Sequence, residues 1–226
     1  WGGVMLLGNA HENAAVRTQV VVERPAIEGL DTQVQYGWDT DELDDESSGT
    51  LTYVRIEYAS REVRPGEETN GLTFGAVGSG TTIDHIMVSN SNDDCFEWFG
   101  GAVNASHLIA YNCDDDEFDT DHGFSGHVQF GFGRQIDGTL ELDSDGFEMD
   151  NGSQIGLTPL TTAQFSNVTL CGTRENPPAS GTAPRTGMAF RTVVGGSIQN
   201  TLVTGFENGG IAIPDNPAGH AGVKLI

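Results

Sequence analysis

HIMVSNSNDDCFEWFGG (85–101) and HLIAYNCDDDEFDTDHG (107–123) align without a gap at an offset of 22 residues. His85 falls on His107, Ile86 on Leu108, Asn90 on Asn112, Asp94 on Asp116, Phe96 on Phe118 and Gly101 on Gly123. A third copy, LDSDGFEMDNG (142–152), follows at an offset of 29. Weaker copies flank these three: NGLTFGAVGSG (70–80), TGMAFRTVVGG (186–196) and TGFENGGIAI (204–213). A repeat of this length admits few architectures. The Leu/Asn signature of leucine-rich repeats is absent, and no window carries an apolar period of 3.6. What fits is a coil of three short strands, each pairing with the coil above it at about 4.8 Å. The expected fold is therefore all-β: a right-handed parallel β-helix, a solenoid with coils of about 22 residues.

Alternation within the repeat assigns the faces. Phe96, Phe118 and Phe147 are expected to point inward, as are Trp98, Thr120 and Met149. Glu97, Asp119 and Glu148 would then point outward, with Phe99, Asp121 and Asp150 two residues on. In HIMVSN and HLIAYN, the residues Ile86, Val88, Leu108 and Ala110 would line the core. That leaves His85 and His107 in an outward column, with His127 as its expected third member.

Composition narrows the partners. The 226 residues carry 33 Asp plus Glu against 10 Lys plus Arg, a formal net charge of −23, and Lys224 is the sole lysine. Nucleic acid requires a basic footprint, so it is a poor partner. An anionic membrane surface is disfavoured for the same reason, and no apolar run is long enough to span a bilayer. Glycine is abundant (31) and proline scarce (8), which suits many tight corners. One domain, 1–226, is expected, either complete or as the C-terminal part of a longer solenoid. The opening WGGVMLLGNA already reads as a strand and looks like a processed or truncated end, and an exposed solenoid end invites stacking between copies. The three cysteines, Cys95, Cys113 and Cys171, form no CxxC pair, so neither a disulfide scaffold nor a zinc or iron–sulfur site is indicated. Cys171 stands about two coils from Cys113, roughly 10 Å and beyond disulfide reach. Free buried thiols are expected, with Cys95–Cys113 as the one bond that a diagonal contact would allow.

The chemistry concentrates in the three acidic turns. Asp93, Asp94, Asp114, Asp115, Asp116, Asp143 and Asp145 sit at the corner before the phenylalanine. Glu97, Asp119, Asp121, Glu148 and Asp150 follow it on the outward face. Stacking brings these carboxylates within about 5 Å of each other, where unscreened like charges cost on the order of 1 kcal/mol per pair even in high dielectric. A divalent cation would offset that repulsion, and Ca²⁺, which takes six to eight hard oxygen ligands, suits such a set. A second acidic stretch, WDTDELDDESSG (38–49), reads as a charged loop. The stacked imidazoles of the histidine column could hold a transition ion, but an outward polar ladder is the favoured account of them.

The runs SGTLTYVRIEYAS (48–60), NGLTFGAVGSGTTIDHIMVSNSNDDCFEWFGGAVN (70–104) and DDDEFDTDHGFSGHVQFGF (114–132) resemble a family of large secreted bacterial proteins, uncharacterised lipoproteins or cell-surface proteins built as parallel β-helices. The resemblance covers most of the chain and implies a secreted or cell-surface location. It transfers no activity. It fits a calcium-binding module with a structural, adhesive or glycan-binding role, whose partners would be calcium, glycans or copies of itself. NDDC (92–95), SDGFEMD (144–150) and DHGFSGH (121–127) are locally similar to turns of polygalacturonase-type glycoside hydrolases. In those enzymes the DG turn precedes the DDC turn, whereas here it follows. If the chain is a polysaccharide hydrolase or lyase, Asp94, Asp116, Asp145 and Glu148 are the expected catalytic acids. Arg134 and Arg191 are the local basic candidates. The calcium cluster of pectate lyases matches in kind, but a basic groove is not evident.

Overall fold

A computed structural model describes residues 1–14, 16–17, 22–27, 30, 34–37, 43–136, 144–152, 156–173, 185–213 and 222–225. Asp143 and residues 38–42 of the second acidic stretch lie outside the described residues. Six parallel strands form one sheet, in the order Val4–Leu7, Leu72–Val77, Phe96–Gly101, Phe118–Asp121, Glu148–Met149 and Ala189–Phe190. A second parallel sheet runs Thr50–Glu57, Thr82–Ser89, Ala105–Tyr111, His127–Arg134, Gln164–Cys171, Gly195–Gln199 and Gly222–Leu225, with Leu202–Thr204 also pairing with Gln164–Cys171. From Thr50–Glu57 to Gly195–Gln199, successive strands alternate between the sheets, so each of these coils crosses both once. This is the right-handed parallel β-helix that the repeat predicts. The first sheet sets Leu72 on Phe96, Phe96 on Phe118 and Thr120 on Met149, steps of 24, 22 and 29 residues. Only the central step has the expected length, and the longer steps carry their extra residues between strands.

The five strands of the second sheet from Thr50–Glu57 to Gln164–Cys171 each bend once. Pairing passes from Thr52↔Asp84 to Val54↔Ile86 and from Asp84↔Ser106 to Ile86↔Leu108, skipping one residue per strand. The skipped residues Tyr53, His85, His107, Phe130 and Asn167 all have a positive φ, between 55° and 60°. This left-handed conformation is costly for a residue with a side chain, and here it turns each strand into two short ones. The expected three-strand coil is thus present, with its first corner at this column. A second corner repeats the device at Tyr58, Asn90 and Asn112. There Asn112 Nδ2 donates to Asn90 Oδ1 at 3.1 Å, and Asn112 Oδ1 accepts from Ile136 N at 3.2 Å. Asparagine tolerates this conformation because its short amide bonds locally.

The first corner corrects one expectation. His127 lies three residues before the column, and Phe130 follows His107 in the stack. The step from Ala105 to Val128 takes 23 residues, whereas His127 follows His107 by only 20, so similarity of the short VQF stretch misplaced the histidine.

The interior is an aromatic and aliphatic stack, as the alternation requires. Phe96, Phe118 and Phe147 are buried, and so are Trp98, Thr120 and Met149. Phe96 and Phe118 stack with centroids 5.6 Å apart, Phe74 and Trp98 at 5.2 Å, and Trp98 and Phe124 at 5.5 Å. Ile86, Val88, Leu108 and Ala110 complete the wall contributed by the second sheet. Cys95 and Cys113 are buried here and form a disulfide with Cα atoms 5.5 Å apart, while Cys171 is free. Three free thiols are therefore not what the fold contains. Cys113 enters the interior just after the second corner and Cys95 just before the strand Phe96–Gly101 of the preceding coil, so one coil boundary lies between them. A small apolar cluster, Ile27, Tyr36, Ala76 and Phe99, covers part of the first sheet's outer face. Phe99 points outward as expected, yet it is buried beneath Tyr36, 5.9 Å away.

Candidate metal centre on the first sheet

The aspartates at the corner before each phenylalanine form a ladder. Asp94 Oδ1 accepts the N–H of Asp116 at 2.9 Å, Asp116 Oδ1 accepts the N–H of Asp145, and Asp145 Oδ1 accepts the N–H of Thr186 at 2.6 Å. Each carboxylate thereby ties its coil to the next by a side-chain-to-backbone hydrogen bond. All three aspartates are buried.

Beside this ladder runs a second one. Glu97, Asp119 and Glu148 stack in register on the outer face of the first sheet. They join Asp93, Asp94, Asp115 and Asp116 in lining a cleft of about 290 Å³. Oxygen atoms of Asp94, Glu97 and Asp119 lie within 4.8 Å of one another, and so do those of Asp93, Asp94 and Asp115, and those of Asp116, Asp145 and Glu148. Among the described residues lining the cleft, Arg191 is the only cation, and its guanidinium is 2.6 Å from Glu148. Asn70 Nδ2 donates to Glu97 Oε2. Asp119 Oδ1 is buried and, among the described residues, accepts no hydrogen bond.

Burial and mutual repulsion raise four of these acids, Asp94, Asp116, Asp119 and Glu148, above the ordinary carboxylate range. Desolvation, then Asp93, Glu97, Asp119 and Asp115, raises Asp94 well above the usual carboxylate range. Desolvation, then Asp115, Glu148 and Asp94, does the same for Asp116. Asp119 rises through burial and its neighbours Glu148 and Asp121. Glu148 is pushed up to about 8 by burial, against the opposing pull of Arg191. A cleft this rich in carboxylates suits a hard divalent cation, because the ion supplies opposing charge to several of them at once.

The other expected ligands have different duties. Asp114 lies at the second corner, where its N–H donates to Ser91 O, and it belongs to none of the three groups. Asp121 accepts from His122 N and Gly152 N, and Asp150 from Asn151 N at 2.6 Å and Thr192 N at 3.2 Å, so both cap backbone at the third corner. Arg134 lies on the second sheet, away from the acids. Of the second acidic stretch, Glu46 accepts the N–H of Gly78 at 2.8 Å, and Asp44 binds His11. Asn70 and Glu68 line the cleft without any signal in the repeat to announce them. Glu117 also went unannounced: it is buried inside the solenoid, raised by desolvation, and accepts from Gln135 Nε2 at 3.1 Å.

One constellation resembles a catalytic triad and is not one. His11 Nδ1 is 2.8 Å from Asp44 Oδ1, and His11 Nε2 is 3.3 Å from Ser125 Oγ. The same Nε2 is only 2.8 Å from the carbonyl oxygen of Gly123, which can only accept. That nitrogen therefore carries a hydrogen and cannot take one from Ser125. His11 instead pins the first coil to the third corner.

Over residues 1–224 the chain matches the family described as "Pectate-lyase like beta helix domain", and it belongs to that family. No curated protein and no solved structure matches it. Among the described residues no helix is long and apolar enough to cross a membrane.

Proposed function

We propose that the chain is a calcium-binding β-helix module of a secreted or cell-surface protein, with a structural, adhesive or glycan-binding role, in which Ca²⁺ occupies the acidic cleft of the first sheet. The observation that carries this reading is the convergence of three carboxylate groups at one cleft, two of them sharing Asp94, with a buried Asp119 oxygen that no donor among the described residues satisfies. The donor set is entirely hard oxygen, as calcium prefers. The Cys95–Cys113 bond supports an extracellular setting, since such bonds persist in oxidising compartments. The test is calorimetric titration with Ca²⁺, coupled to melting in EDTA and in millimolar Ca²⁺. Binding that raises Tm, and that weakens in Glu97→Gln, is expected. An unchanged Tm and no binding heat would sink the reading.

A second reading, a polysaccharide-degrading enzyme, is favoured by one feature. Glu148, raised to about 8, stands beside Arg191 in a cleft of a pectate-lyase-like domain. A carboxyl that keeps its proton at neutral pH can act as a general acid. Release of reducing or unsaturated sugars from a glycan panel, lost in a folded Glu148→Gln variant, is the outcome this reading requires.

A further inference from the structure

The first corner of the coil gathers metal-binding side chains of a different chemistry. His85 Nδ1 is 2.7 Å from Asp84 Oδ2, and His107 Nδ1 is 2.8 Å from Asp84 Oδ1. Ligand atoms of the three residues lie within 4.8 Å of one another. We propose that Asp84, His85 and His107 form a site for a divalent transition ion of the Zn²⁺ or Cu²⁺ class, separate from the acidic cleft.

Three observations support the assignment. The donors are two imidazoles and one carboxylate, a set that suits zinc or copper and not calcium. Among the described residues, this is the one such group that contains histidine.

The rings are also held in place beforehand. His85 and His107 stack at 4.3 Å as the inner pair of a four-ring pile, with Tyr53 at 4.6 Å below and Phe130 at 4.9 Å above. Both residues adopt the left-handed backbone of the corner, and their side chains are solvent-exposed there. Ser106 Oγ donates to Asp84 Oδ1 at 2.6 Å, which orients the carboxylate as an outer partner orients a metal ligand.

Finally, the acid is placed only where the histidines are. The column through Asp84 reads Thr52, Asp84, Ser106, Gln129 and Ser166 in register. The corner itself needs no histidine, since Tyr53, Phe130 and Asn167 make the same bend. The three side chains are 32–46% exposed, so an ion can reach them and keep a solvent ligand.

The experiment uses the intact chain in millimolar Ca²⁺, with one equivalent of Cu²⁺ read by electron paramagnetic resonance and Zn²⁺ binding read by calorimetry. Superhyperfine coupling to two nitrogens and one tight Zn²⁺ per chain are expected. In His85→Gln and His107→Gln the coupling falls to one nitrogen or none, and Zn²⁺ affinity falls by more than about tenfold. Asp84→Asn lowers the affinity as well, while Asp119→Asn in the acidic cleft leaves both readouts unchanged. Circular dichroism confirms that each variant is folded. An oxygen-only copper spectrum, or nitrogen coupling that persists unchanged in both histidine variants, overturns the proposal. These readouts are independent of whether calcium fills the other cleft.

Discussion

Replacing Asp119 with asparagine should stabilise the calcium-free protein and weaken its response to calcium. Asp119 stands between Glu97 and Glu148 in register, one strand spacing of about 4.8 Å from each. Two unit charges about 5 Å apart repel by about 0.8 kcal/mol at the dielectric of water and about 3 kcal/mol at an effective constant of 20. The cleft opens to solvent and its acids share protons, so a total of about 2 kcal/mol is expected. For a chain of this size that corresponds to a rise in Tm of about 4–8 °C in EDTA. The gain depends on pH. A carboxyl whose pKa is raised by folding contributes its full stability below its unfolded value, and that contribution is lost as the pH climbs toward the folded value. The advantage of Asp119→Asn should therefore be near zero around pH 4 and grow toward pH 8, where even Glu148 ionises. In saturating calcium the order shifts, because asparagine offers a neutral oxygen. A tenfold loss of affinity removes about 1.4 kcal/mol of ligand-linked stability. Differential scanning calorimetry across pH, with EDTA or calcium, measures all of this. A lower Tm for the variant in EDTA at pH 8, or a calcium-induced rise equal to that of the wild type, would refute the reasoning.

Three further outcomes follow from the same geometry. Arg191→Gln removes the cation that competes for Glu148, so calcium affinity should rise by about threefold to tenfold in a titration. Phe118→Ala opens the centre of the aromatic stack and should cost about 3–5 kcal/mol in denaturant unfolding. Thiol counting after denaturation should find one free cysteine without reductant and three with it, and reduction should lower stability by about 3 kcal/mol, given a closed loop of 18 residues.

Much of this architecture was legible in the repeat. The offset that sets Phe96 on Phe118 and Asp94 on Asp116 is the register of the sheets, because a period-two strand cannot slip by one residue without exposing its core face. The acidic cleft was legible for the same reason, since equal repeat positions become neighbours in space. What depends on the corners was not. The step after His107 is 23 residues and puts Phe130 in the ring column, whereas His127 follows His107 by only 20 and falls three residues short of it. The disulfide crosses a corner diagonally, so Cys95 and Cys113 share no repeat position. Asp84 has no counterpart in the other coils, and a repeat alignment weighs only what recurs. The burial of Phe99 beneath Tyr36, and of His11 between Asp44 and Gly123, comes from segments outside the repeat.

The aspartate ladder measures the protein in coils and not in residues. Asp116 reaches the N–H of Asp145 across 29 residues just as Asp94 reaches that of Asp116 across 22, and Asp145 reaches Thr186 across 41. Chain length between rungs is thus free to vary while the height of each rung stays constant. A peptide spliced between strands would decorate the rim of the cleft and leave the spacing of its carboxylates untouched. The scaffold is therefore suited to acquiring new specificities by loop grafting, with the carboxylate row as its invariant ruler.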